Sequence, residues 1–287
     1  MNRRSFINLV SSMGAASLTP SLKSMPIFHS VREPNASFSF GIIADPHASE
    51  SVREGLEHCG DGKTKFLRCI EVMNHLPKDE RPDFILVLGD LHFFAIEDEL
   101  DRIDIPLYPI AGNHESVAQK KQLRALFPGT FQINGLESDY YSFEHKGIHF
   151  IGICNAISSD HIGHLCTDQI IPRGQCEWLE EQLAKNDLPK IIFGHIPIEP
   201  QGQDERMFLS RNDSVYLRGL VSKYNIHAMY FGHQHLETRQ FNVHDCIVTV
   251  CRSCCWNFHN APIGFGLVHV SSGGIVLKEI ATGRYTA

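Results

Sequence analysis

Five short β-rich apolar runs, each ending at side chains able to hold a metal, constrain this chain more than any other feature. Phe38–Ala44 leads into Asp45-Pro46-His47, and Phe84–Leu88 into Gly89-Asp90. Leu107–Ile110 runs into Ala111-Gly112-Asn113-His114-Glu115, Lys190–Phe193 into Gly194-His195, and Ala228–Phe231 into Gly232-His233-Gln234-His235. Near-continuous apolar runs suit strands covered on both faces. In open α/β sheets, ligands bind outside the carboxyl ends of such strands. Four of the five exits begin within about a residue of Gly, which permits a tight turn out of the strand. A chance distribution would scatter His, Asp and Asn; here they gather at one kind of place.

Helical patterns separate these runs. Phe66, Leu67, Ile70 and Met73 share one helical face, and Pro77 stops that run. Ser116 is placed to cap a helix carrying Leu123, Leu126 and Phe127. Cys176, Leu179 and Leu183 recur at helical spacing between Arg173 and Ala184, as do Leu217, Leu220, Val221 and Tyr224 after Asn212-Asp213. Tyr140–Phe143 and Ile148–Ile153 flank Glu144-His145-Lys146-Gly147 as a hairpin. Ile247–Val250, Gly266–Val270 and Ile275–Ile280 read as further antiparallel strands, with Gly273-Gly274 as a turn. Alternating βα units followed by strands predict an α/β fold of two packed mixed sheets with helices outside. No repeat or linker divides the chain, so one domain over 38–285 is expected.

Composition narrows the chemistry. Apolar residues at 43% and charged residues at 21% are ordinary for a globular chain, so disorder is not expected. A net charge of −7, with no basic stripe interleaved with aromatics, argues against a nucleic-acid partner. The 17 histidines are the outlier, and imidazole is the commonest metal ligand. Asp45 and Asp90 offer hard oxygens, Asn113 a neutral carbonyl, and His47, His195, His233 and His235 imidazole nitrogens. A mixed N/O set without thiolate suits Mn, Fe, Zn or similar divalent ions. Seven ligands are too many for one tetrahedral ion and fit two ions sharing a carboxylate. Ion pairs about 3.5–4 Å apart clamp the attacking and leaving oxygens of an in-line displacement at phosphorus.

Taken in order, D-x-H, G-D, G-N-H-E, G-H and G-H-x-H resemble the calcineurin-like metallophosphoesterase family, from about Phe38 to about Arg239. The resemblance implies a four-layer α/β/β/α sandwich and a dinuclear centre. It implies one metal on Asp45, His47 and His235, the other on Asn113, His195 and His233, and Asp90 bridging beside a nucleophilic hydroxide. His114 matches the family histidine that is not a ligand and that contacts the phosphoryl oxygen or protonates the leaving alkoxide. One departure stands out. Asp90 is followed by Leu91, His92 and Phe93, without the Asp, His or Tyr that several branches carry three residues on. That argues against the tyrosinate-bound ferric branch, and it leaves open whether His92 or Glu115 partners His114.

The resemblance implies a metal-dependent phosphoric ester hydrolase acting on a small phosphorylated substrate. The alternatives are a phosphodiesterase or pyrophosphatase on nucleotide-type substrates, and a non-catalytic metal-binding scaffold. No ligand position is missing, which argues against the scaffold. Loops 155–173 and 198–212 are expected to set selectivity. His161, His164 and Arg173, Arg206, Arg211 and Arg252 read as surface groups, Gln234 as a spacer, and Tyr140, Tyr141 and Trp178 as packing. Among nine cysteines, Cys69, Cys154 and Cys176 lie in apolar patterns and read as core, while Cys246–Cys255 is where a bridge is expected if the compartment oxidises. Residues 1–30 read as a leader. Arg3-Arg4, then Phe6-Ile7, resembles a twin-arginine export signal despite Asn2 and Asn8, with Ala15-Ala16-Ser17 as a candidate cleavage site. Export to a bacterial periplasm is therefore expected, with no membrane span, because the Ser- and Gly-rich stretch is too polar to cross a bilayer. No feature specifies an oligomeric state.

Overall fold

A computed structural model describes residues 37–157, 160–200 and 206–286. The leader read at residues 1–30 lies outside the described residues. In chain order the strands are β1 (Phe38–Ile43), β2 (Ile85–Leu88), β3 (Leu107–Ile110), β4 (Gln132–Ile133), β5 (Leu136–Glu137), β6 (Tyr141–His145), β7 (Ile148–Gly152), β8 (Lys190–Phe193), β9 (Ile226–Phe231), β10 (Arg239–Val243), β11 (Cys246–Val250), β12 (Ile263–Ser271) and β13 (Gly274–Gly283). The α-helices are α1 (Gly62–Asn74), α2 (Glu97–Leu100), α3 (Val117–Leu126), α4 (Gln175–Ala184) and α5 (Arg211–Lys223).

One sheet runs β13-β12-β1-β2-β3, the other β10-β11-β9-β8-β7-β6, and β4 pairs with β5 alone. In the first sheet β1, β2 and β3 are parallel. In the second, β11, β9, β8 and β7 are parallel. Antiparallel strands close both edges of the second sheet and the β13 edge of the first, whose other edge is the parallel β3.

Side-chain alternation explains how the strands can be apolar throughout. In β8, Ile191 and Phe193 face the first sheet while Ile192 faces the helices; in β9, Ala228 and Tyr230 alternate in the same way with Met229 and Phe231. Phe40 of β1 meets Phe150 of β7 edge-on, with centroids 5.4 Å apart, so the two sheets share an aromatic core. On the far side of the second sheet, Trp178 and Leu179 of α4 and Leu217 and Leu220 of α5 complete a second core. On the far side of the first, the buried face of α1 presses so close that a Cβ on Gly41 would lie 2.8 Å from Met73 Sδ. The result is the expected α/β/β/α sandwich.

Local chemistry sets the helix starts. Ser116 and Gln119 form a reciprocal capping box on α3. The α5 helix begins at Arg211, earlier than expected, because the Ser210 hydroxyl accepts from the Asp213 amide at 3.2 Å. No helix among the described residues is long and apolar enough to cross a membrane.

Two expectations are corrected. Cys176 is disulfide-bonded to Cys166, while Cys246, Cys251, Cys254 and Cys255 are free and buried. Cys176 falls in helical register with Leu179 and Leu183, and a bonded sulfur is as apolar as a core side chain, so the pattern did not distinguish the two. The segment Cys251–Cys255 instead braces β1: the Cys254 amide donates to the Ala44 carbonyl at 3.0 Å, and the Ser253 hydroxyl to the Asp45 carbonyl at 2.8 Å. Strand β11 is antiparallel to β10, as expected, and parallel to β9 on its other side, so its carboxyl end reaches the same edge as the other exits.

Candidate metal centre

The parallel strands of both sheets end at one edge, and the seven expected side chains meet there. Their backbones leave the strands sharply. Asp45, His47, Asp90, His233 and His235 all have φ between 41° and 73°, a region that costs an L residue about 1–3 kcal/mol and is retained where the surroundings dictate it. Gly89 sits at φ 82° and lies directly beneath a ring; a Cβ there would be 2.4 Å from His195 Nδ1. The glycines at the exits therefore leave room for ligand side chains as well as permitting turns.

Three groups of potential ligand atoms form among the described residues, and two of them consist of expected ligands. Asp45, His47 and His235 are one; Asp90, His195 and His233 are the other. His47 Nε2 lies 3.1 Å from His235 Nε2, and His235 Nε2 lies 3.6 Å from Asp45 Oδ1. His195 Nε2 is 3.0 Å from Asn113 Oδ1, 3.2 Å from His233 Nδ1 and 3.3 Å from Asp90 Oδ2. Asp90 Oδ2 also lies 3.6 Å from His47 Nε2, so this carboxylate stands between the two groups.

The donor set fits cations. His195 Nδ1 donates to the Leu88 carbonyl and His235 Nδ1 to the Trp256 carbonyl, both at 2.7 Å, so that in the neutral ring each Nε2 carries the lone pair that faces the centre. Asn113 Oδ1 and Asp90 Oδ2 are acceptors too. Acceptors crowded this closely require positive charge between them, a proton or a metal ion. His233 Nε2 is buried with no hydrogen-bond partner. Electrostatics agree. Burial pushes Asp45 up to about 8. Burial opposes charge on Asp90 as well, but His195, then His47 and His114, hold it far below the usual carboxylate range. Burial holds His47 and His233 down to about 2 and His235 to about 4. His195, despite burial, is drawn up to about 9 by Asp90 and Asp45.

His114 stands at the mouth. Its amide donates to Asp90 Oδ1 at 2.9 Å, and its ring, 49% exposed, places Nε2 3.9 Å from Asp90 Oδ2. The open question of its partner is answered for Glu115. That carboxylate is buried and fully occupied: Oε2 accepts from the Asp90 and Gly112 amides at 3.0 and 2.7 Å, and Oε1 from the His92 amide at 3.0 Å. It ties the exits of β2 and β3 together. His92 falls with His47 and His114 in a third group, its Nδ1 2.7 Å from Ser49 Oγ.

Several supporting residues escaped the sequence reading. Asn155, just past β7, accepts from the His195 and Ile196 amides at 3.0 and 3.1 Å and so fixes the His195 turn. Its position after an apolar run was the available signal. Trp256 stacks on His235 with centroids 3.9 Å apart, and Arg53 lies 3.9 Å above the Trp256 ring. Only the parallel direction of β11 brings Trp256 here. His161 is exposed, as expected, yet its ring lies 5.7 Å from His233, at the rim of the centre. Arg173 and Arg252 point elsewhere, to Asp168 and Glu279 at 2.9 and 3.0 Å.

The fold has known counterparts. A dimetal phosphatase from Danio rerio aligns at 15% identity and TM-score 0.61, covering 86% of this chain and 96% of that one. The anchor protein of the inner membrane complex of Plasmodium aligns at 16% identity and TM-score 0.54, covering 88% and 87%. No curated protein sequence matches. A sequence-family profile described as calcineurin-like phosphoesterase matches residues 38–237. That span holds all five strand exits and every side chain of the two ligand groups, and on this ground the chain belongs to the calcineurin-like phosphoesterase family.

Proposed function

We propose that the protein is a metal-dependent phosphoric ester hydrolase with a dinuclear centre. The supporting observation is the crowding of potential ligand atoms around His195 Nε2 and Asp90 Oδ2, where a proton or a cation must stand between them. In this reading Asp45, His47 and His235 would hold one divalent cation and Asn113, His195 and His233 the other, with Asp90 placed to serve both. Such a pair supplies charge neutralisation at phosphorus and a water acidic enough to attack near neutral pH. The chain's own residues do the rest. The Leu88 and Trp256 carbonyls fix the tautomers of His195 and His235. Glu115 and Asn155 hold the turns that present Asp90 and His195. His114, exposed beside Asp90, is placed to contact a phosphoryl oxygen or pass a proton to the leaving alkoxide. The dimetal phosphatase with the same fold agrees with this reading, while the Plasmodium anchor protein shows that the fold also occurs in proteins described by another role.

Asp90→Asn and His195→Ala are expected to abolish turnover of p-nitrophenyl phosphate and of its bis-ester, and relative rates on the two esters assign monoesterase or diesterase action. Retained turnover in either purified variant would overturn the reading. A second readout is independent of catalysis. Asp45 and His195 carry protons at pH 7 in the metal-free protein, so metal loading is expected to release protons, measurable as acidification of a weakly buffered solution.

We propose further that 38–285 is one domain and that the chain is exported folded, by the twin-arginine-like segment, to the periplasm. The Cys166–Cys176 disulfide supports an oxidising destination. Lysine in place of both Arg3 and Arg4 is expected to retain the protein in the cytoplasm, read by cell fractionation.

A further inference from the structure

Exposed large apolar side chains recur in segments that follow strands ending at the edge of the centre. Of the seven among the described residues, four follow its strand exits: Val52 after β1, Phe94 after β2, Val117 after β3 and Phe258 after β11. Single exposed hydrophobes need no explanation, but a group around one polar site does.

Two of the four end ladders of rings that begin on candidate ligands. His47 packs edge-on against His92 at 4.9 Å, and His92 lies nearly parallel to Phe94, 12° apart in plane, at 6.0 Å. His235 stacks on Trp256 at 3.9 Å, and Trp256 meets Phe258 edge-on at 5.0 Å. Both ladders leave from the Asp45, His47 and His235 group. The Asp90, His195 and His233 group is flanked instead by polar side chains, Asn113 and His161. Trp256 is already covered on both faces, by His235 and by the Arg53 guanidinium. The rings still open to an incoming molecule are Phe94 and Phe258, 47% and 48% exposed.

A phosphoester whose leaving group points to the Asp45, His47 and His235 side would carry it out past this rim. We propose that Phe94 and Phe258 select a leaving group bearing a flat aromatic ring, so that the preferred substrates are phosphoesters of ring-bearing alcohols, a nucleoside being one such alcohol. Stacked and edge-on ring contacts favour a planar partner beyond what its apolar area alone contributes. The inference rests on the hydrolase reading and adds the class of substrate.

The test uses the full metal-loaded chain and three alcohols of similar acidity, 2-phenylethanol, 2-cyclohexylethanol and ethanol, each as phosphate monoester and bis-ester. Their like acidity removes leaving-group reactivity as a variable, and the cyclohexyl compound matches the phenyl compound in size without being flat. Expected kcat/KM for the phenylethyl ester is about tenfold above the ethyl ester and about threefold above the cyclohexylethyl ester. The phenyl-over-cyclohexyl ratio is expected to fall to about one in the Phe94→Ala, Phe258→Ala double variant. Val215→Ala, altering an exposed side chain on α5, is expected to keep it. Equal values for phenyl and cyclohexyl esters in the unaltered protein would overturn ring selection in favour of a merely apolar rim. A ratio that survives the double variant would overturn the assignment to these two residues. No turnover of any ester would overturn the hydrolase reading and this inference with it.

Discussion

Glu115 is a carboxylate whose role the sequence left open. Its place beside His114 made it a candidate acid partner, but three backbone amides occupy it. Burial, then the charge of Asp90, raises its pKa, and the hydrogen bonds from the His92 and Gly112 amides oppose that rise. Hydrogen bonds to charged groups contribute about 1.5–3 kcal/mol each. Glu115→Gln turns one acceptor into a donor facing an amide, and it is expected to cost about 2 kcal/mol or more in urea unfolding of the metal-free protein. A change below about 0.5 kcal/mol would show that the clamp contributes little. Gly112 carries a related constraint. A Cβ there would lie 2.1 Å from Asp90 Oδ1, so Gly112→Ala must displace the carboxylate between the two ligand groups. Metal content after reconstitution is expected to fall below half that of the unaltered protein while the fold persists, as read by circular dichroism.

At the scale of elements, the strand exits were readable because each is local. An apolar run followed by Gly and a polar ligand needs only a few residues to recognise. The same reading did not reveal that β11, antiparallel to β10, also runs parallel to β9, because that pairing is not set by its own residues. It therefore missed Trp256, and the ladder to Phe258 with it. Cys166–Cys176 was missed for a similar reason: sulfur pairing depends on spatial approach, here Cα atoms 6.2 Å apart, and spacing does not encode it. The bridge fastens the segment carrying His161 and His164 to the start of α4. Its loop is short, with a sequence separation of 10, and the chain-entropy estimate for such a loop is about 3 kcal/mol or slightly less. Cys166→Ser with Cys176→Ser is expected to lose about that much stability under oxidising conditions, and reductant is expected to lower the stability of the unaltered protein but not of the double variant.

Over the whole molecule, the buried centre makes the metal-free protein sensitive to pH on both sides. His47, His233 and His235 remain neutral in the fold far below 6.5, whereas in the unfolded chain each protonates near that value. Below about pH 6.5 the unfolded state therefore binds more protons, and stability falls as the pH drops. Asp45 and His195 act in the opposite direction. Both hold protons in the fold up to about 8 and 9, so their contribution is lost as the pH rises through those values. In acid the three imidazoles outweigh Asp45, and the metal-free Tm is expected to peak near pH 6.5 and decline toward both 5 and 9. A Tm rising steadily from 5 to 9 would contradict this balance. The sequence by itself determined the strand runs, the helical faces and the identity of the seven converging polar groups, because periodicity and strand-end chemistry are short-range properties. Only the tertiary structure decided which carboxylate stands between the two groups, which nitrogens keep lone pairs, that Glu115 serves the backbone, and that exposed rings border one side of the centre. These depend on contacts between residues up to 208 positions apart, such as the Ser253 hydroxyl on the Asp45 carbonyl, and no local pattern records where two distant turns meet.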